Sequence, residues 1–75
     1  MPIIRYTDNQ GGDKLRQWLI DARRSKGYSQ VDIAKAVQVS QPCYWEYEHG
    51  VSRPSPETAK KIASVLGFPW TKFYE

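Results

Sequence analysis

A chain of 75 residues holds one domain, and at that size it buries only roughly 60% of its unfolded surface, so its core has to be compact and well patterned. The single cysteine, Cys43, excludes an intrachain disulfide; the single histidine, His49, excludes Cys/His zinc spacing, and no cofactor or metal is expected. A net charge of +3 and a pI near 9.2 permit a polyanionic partner without demanding one, and the absence of a long apolar stretch points to a cytoplasmic protein with no membrane partner.

Residues 1–12 read as an N-terminal arm and 13–75 as the domain. Ile3, Ile4 and Tyr6 would make a short strand with nothing to pair with in an otherwise helical chain, unless a second copy supplies the partner; the alternative is a loose arm. After Gly11-Gly12 the first helix is expected from Asp13, as its N-cap, to Lys26, with Gly27 as a left-handed stop. Its buried stripe is Leu15, Trp18, Leu19 and Ala22. The second helix starts at Ser29, with Asp32 in the capping-box position, and turns Ile33, Ala34 and Val37 inward. Val39 fills the turn. Ser40 caps the third helix, which carries Pro42 in its first turn and runs to His49, stopping at Gly50. Ser55 and Pro56 open the fourth, with Ile62, Ala63 and Leu66 buried and Gly67 at its end. Phe68-Pro69 begins a short fifth helix that turns Trp70 and Phe73 inward. Five short helices with connections of a few residues make an all-α domain.

Within it, Ser29 to Arg53, SQVDIAKAVQVSQPCYWEYEHGVSR, reads as two short helices joined by a tight turn, a pattern that presents its second helix outward. Residues 15–73 as a whole resemble the lambda-repressor-like helix-turn-helix domains of the Cro and Xre type. The match is carried by LRQWLIDARRSKGYSQ, DIAKAVQVSQ, YWEYEHG and RPSPETAKKIASVLGF, in which G-x-S-Q, I-A, V-S-Q, Y-E-x-G and P-S-x-E-T follow in order. The resemblance implies a compact five-helix fold and a sequence-specific DNA-binding transcriptional regulator. Such proteins are mostly repressors or Cro-like switch proteins of phages and mobile elements, binding a palindromic double-stranded operator as a homodimer. It further implies that Gln30 contacts a phosphate, that Gln41 reads a base edge, that Arg53 contacts a phosphate, and that Arg23 and Glu48 form an internal ion pair. Three residues depart from the pattern. Gln38 stands where a turn glycine is usual, which would alter the turn; Glu46 stands at an outward position that is usually basic or amide; and Trp45 replaces something smaller.

Stepping 100° per residue along the third helix puts Tyr44, Tyr47 and Val51 on the core side and Gln41, Pro42, Trp45, Glu46 and His49 on the outward side. Read as a DNA surface, Gln41 suits adenine N6 and N7, Trp45 packs on a thymine methyl or sugar, and Glu46 accepts from cytosine N4. Phosphate contacts fall to Gln30, Ser40, His49, Arg53, Arg24 and Lys26. The positive field comes from Lys14, Arg16, Arg23, Arg24 and Lys26 on the first helix, against only Asp21, plus Lys35 and Arg53. Read as a protein surface, exposed Trp45 beside Pro42 is an anchor, and with Glu46 it would dock on the basic face of another repressor, making the chain an antirepressor or modulator. Trp70, Phe73 and Tyr74 are the dimer candidates. Cys43 reads as a small side chain at the helix flank rather than a redox switch. No nucleophile–base pair, carboxylate dyad or phosphate loop suggests an enzyme.

Overall fold

Residues 15–75, which the computed structural model describes, fold into four α-helices, α1 (Gln17–Ser25), α2 (Gln30–Val37), α3 (Gln41–His49) and α4 (Pro56–Leu66), closed by a 3-10 turn over Trp70–Tyr74. The expected arm lies outside the described residues, and the first helix, expected from an N-cap at Asp13, starts later, at Gln17 with Arg16 in the N-cap position. The all-α class holds, with one correction: the fifth element is a 3-10 turn and not an α-helix. It follows Pro69 and is built from i→i+3 bonds, Lys72 N–H to the Pro69 carbonyl at 3.0 Å and Glu75 N–H to Lys72 at 3.4 Å, in a segment too short to propagate a helix.

Serine starts three of the helices, as its placement ahead of each apolar run predicts. Ser29 accepts from Asp32 N–H at 3.0 Å while the Asp32 carboxylate accepts from Ser29 N–H at 3.1 Å, a complete capping box. Ser40 accepts from Cys43 N–H at 3.2 Å and Ser55 from Thr58 N–H at 3.4 Å. Within the described residues α1 differs. Its N-cap position is Arg16, with no side-chain cap. Instead the Arg16 N–H donates to the Glu48 carbonyl at 2.8 Å, and its guanidinium Nη1 donates to the carbonyls of Tyr47 (2.6 Å) and Ser52 (3.0 Å). The start of α1 is thus tied to the last turn of α3, where carbonyls without helical partners and the dipole both favour a cation.

The α2–α3 turn is regular despite Gln38. Gln38 sits at φ 65° and ψ 42°, its N–H bonded to Lys35 at 3.2 Å, and Val39 N–H reaches the Ala34 carbonyl at 3.0 Å, the paired bonds of a Schellman ending. Gln38 is the one non-glycine residue with positive φ among those described; Gly27 holds the equivalent place after α1 at φ 79°. A Cβ in this region costs about 1–2 kcal/mol, part of which glycine returns through its more flexible unfolded state. Gln38→Gly is therefore expected to raise stability by about 0.5–1 kcal/mol, read as a higher urea midpoint at unchanged slope. An unmoved midpoint would show that the turn carries no strain.

Leu19, Ile33, Ala34, Val37, Tyr44, Tyr47, Ala59, Ile62, Leu66 and Phe73 form the core. Ile20 and Arg23 are also buried on α1, whereas Leu15, Trp18 and Ala22 are half-buried. Val51, expected inside, is 62% exposed. The helical step that placed it inward ends at Gly50, whose left-handed backbone (φ 72°) redirects the chain one residue earlier. Trp70, also expected inside, is half-buried, and Phe73 makes the inward contact.

Candidate nucleic-acid interface

Four side chains connect the outward face of α3 to the core. Gln41 Nε2 donates to Gln30 Oε1 at 2.8 Å, and Gln30 Nε2 donates to Glu48 Oε1 at 2.9 Å. Arg23 Nε donates to Glu48 Oε2 at 2.6 Å, and Arg23 Nη1 to the Tyr28 carbonyl at 2.9 Å. Glu48 and Arg23 are both buried, so this is a desolvated ion pair with hydrogen bonds on both carboxylate oxygens. Burial alone would push the Glu48 carboxyl up. The hydrogen bonds from Arg23 and Gln30 and the adjoining Tyr44 hydroxyl outweigh it, and the carboxyl lies below the ordinary glutamate value. Arg23 is raised, chiefly by its hydrogen bond to Glu48 and against the opposing effect of burial. Tyr44 Oη lies beside both charges without a partner in hydrogen-bonding geometry, and burial, then Glu48, drive the phenol well above its usual range.

This relay leaves Gln41 half-buried at its base and equipped at its tip. An amide has one acceptor oxygen and two N–H donors; one N–H is used on Gln30, so Oε1 and the second N–H remain. Pro42 is exposed beside it. Trp45 is 41% exposed and stacks on His49, ring centroids 3.9 Å apart and planes 18° from parallel. Glu46 is half-buried and accepts from Ser52 Oγ at 3.3 Å, so it braces the loop after α3 as well as lining the face. The Cys43 thiol packs against the core and donates to Tyr47 Oη at 3.2 Å; burial, then this thiol, push Tyr47 up to about 12.

The cations are distributed differently from the sequence expectation. Arg23 is inside the ion pair and Arg16 is clamped to α3, so neither joins the exposed positive field; Lys14 lies outside the described residues. Arg24, Lys26, Lys35 and Arg53 are exposed, with Lys26 running beside Gly67 at the end of α4. Ser40 is exposed at the start of α3, its oxygen used as the cap. Arg53 stacks on the Tyr74 ring at 5.2 Å, and Tyr74 Oη donates to the Pro54 carbonyl at 2.8 Å, so Tyr74 holds the loop that carries Arg53. Sequence reasoning missed both Arg16 and Tyr74 as positioning residues, because each acts on a backbone carbonyl distant in the chain. Of the dimer candidates, Phe73 is 4% exposed and belongs to the core, which removes it from any surface; Tyr74 is 37% exposed and Trp70 half-buried.

Among the described residues no group of side chains could hold a metal ion, and no helix is long and apolar enough to cross a membrane. The helix-turn-helix (HTH_3) family model matches residues 19–73. The chain is 43% identical over 61 residues to YqaF of Bacillus subtilis, described as an uncharacterized HTH-type transcriptional regulator, covering 81% of this chain and 80% of that one. It is 37% identical over 62 residues to an HTH-type transcriptional regulatory protein of Aeropyrum pernix, and 36% over 55 residues to one of Saccharolobus islandicus. Those matches cover 83% and 72% of this chain but 18% of each archaeal protein. No solved structure matches it significantly. With the matched span containing the α2–turn–α3 unit and its buried anchor, the chain belongs to the Cro/C1-type (Xre) helix-turn-helix family, DNA-binding transcriptional regulators and not enzymes.

Proposed function

We propose that the protein is a sequence-specific repressor or Cro-like switch protein of the cytoplasm, of the kind carried by phages and mobile elements, which lays α3 in the major groove of a palindromic operator. One observation supports this reading above the others. Gln41 is held by Gln30 against a buried ion pair, yet keeps the acceptor and donor that a bidentate contact to adenine requires. A base-reading amide loses less freedom on binding when its rotamer is already fixed. Gln30, Ser40, His49, Arg53, Arg24 and Lys26 remain the proposed phosphate contacts, with Pro42, Trp45 and Glu46 completing the reading face. Residues 13–75 are the binding domain in this reading and 1–12 its arm. Pairing of two copies would use the exposed parts of Trp70 and Tyr74 and place half-sites about 34 Å apart.

The test is selection from random and genomic duplexes at two salt concentrations, repeated with Gln41→Ala. A palindromic motif is expected, with Gln41→Ala relaxing preference at one position in each half-site by about 1–3 kcal/mol. No enriched motif, or an unchanged preference in the variant, would overturn the reading. A second reading rests on Trp45, whose exposed ring stacked on His49 beside Glu46 suits a protein anchor. In that case Trp45→Ala would abolish capture of another repressor, at a cost of about 2 kcal/mol or more, while DNA selection returned nothing.

A further inference from the structure

Beyond the C-terminal end of α3 lies a cleft of about 300 Å³, walled by the start of α1, the loop after α3 and the closing 3-10 turn. Three of its lining residues are cationic: Arg16, Arg53 and Lys72. Each is held against an aromatic face, Arg16 over Phe73 at 5.6 Å, Arg53 over Tyr74 at 5.2 Å and Lys72 over Trp18 at 5.3 Å. Glu75 is the one carboxylate side chain among the described residues of the lining. Arg16 and Arg53 lie close enough that, after burial, the charge of Arg53 is what lowers the Arg16 guanidinium. Arg16 is spent on the carbonyls of α3, so Arg53 and Lys72, braced by rings and opposed among the described lining side chains by Glu75, are the charges that favour an anion at this mouth.

The position of the cleft selects the anion. Arg53, which lines the cleft, stands on the loop that leaves α3, so an α3 laid in the major groove would bring the cleft beside a phosphate strand bordering that groove.

We infer that this cleft seats a backbone phosphate of the bound duplex, with Arg53 and Lys72 supplying the charge, Tyr74 and Trp18 fixing their directions, and Glu75 opposing the binding. The inference rests on the DNA-binding reading and extends the footprint from the helix-turn-helix to the 3-10 turn, so that Lys72 touches the nucleic acid.

The experiment is fluorescence anisotropy of the full chain on its selected duplex across a salt series, with Lys72→Gln and Glu75→Gln. Lys72→Gln is expected to weaken binding equally on all sequences and to make the plot of log K against log salt shallower by about one, leaving base preference unchanged. Glu75→Gln is expected to tighten binding. A Lys72→Gln slope equal to wild type would overturn the inference while leaving DNA binding intact, as would a changed base preference. A wild-type protein that retains no duplex would overturn the DNA reading and this inference together.

Discussion

Arg23→Ala is expected to destabilise the domain by about 3–5 kcal/mol, the cost of leaving Glu48 buried without its cation. That is a large part of the whole stability of a domain this size, for which about 4–11 kcal/mol is ordinary. The loss is read by urea denaturation at neutral pH. Arg23→Lys should restore little of it, because an ammonium cannot reach the carboxylate and the Tyr28 carbonyl with the planar fork that Arg23 uses. Replacing both partners with apolar residues of similar volume should be far milder, since no charge is then stranded. The pair is evidence of fixed geometry: it holds Gln30, and Gln30 holds Gln41. The double variant should accordingly fold and still lose base discrimination.

The same pair sets an acid dependence. The Glu48 carboxyl lies below its unfolded value, so its contribution is fully present above the ordinary glutamate pKa, near 4.3, and is lost as pH falls through the lower folded value. In Arg23→Ala the main opposing hydrogen bond is gone and burial pushes the carboxyl up; protonation then relieves the stranded charge. The gap between wild type and variant should therefore narrow on acidification from pH 7 toward pH 4. A gap that stays constant would show that Glu48 is not the group left unpaired.

Phe73→Ala should cost a comparable amount, about 3–5 kcal/mol, through lost burial and the cavity left behind. Phe73 meets Trp18 at 5.2 Å and Phe68 at 5.6 Å, both edge-on, and these contacts dock the 3-10 turn onto α1 and the end of α4. Local hydrogen bonds cannot hold so short a segment, so packing does. The measurement is the melting temperature of the free protein across a range of concentrations. If Phe73 belonged to a contact between copies, truncation would change association and leave the dilute protein's melting temperature alone. Loss of the turn would also release Tyr74 from the Pro54 carbonyl and free the loop of Arg53, so residual folded protein should bind duplex with a shallower salt dependence.

The starts of α2, α3 and α4 were legible because Ser29, Ser40 and Ser55 act within three residues of themselves, and the stops of α1, α3 and α4 because Gly27, Gly50 and Gly67 follow them. The inward faces of α2 and α4 followed from spacing. Val51 failed because periodicity ends where the helix does, and a left-handed residue stands between it and α3. The family resemblance indicated that Arg23 faces Glu48, but the local pattern around either residue carries no sign of burial. Arg16 looked like one more surface cation, and Tyr74 like an interface aromatic. Both are positioned by backbone carbonyls 20 to 36 residues away, which no local pattern records. The residues alone thus determined the all-α class, the starts of α2, α3 and α4 and the composition of the outward face, since those depend on contacts within a turn or two. The tertiary structure decided which charges stay outside, how Gln41 is oriented through Gln30, and where the remaining cations gather, since those depend on helices meeting across the core.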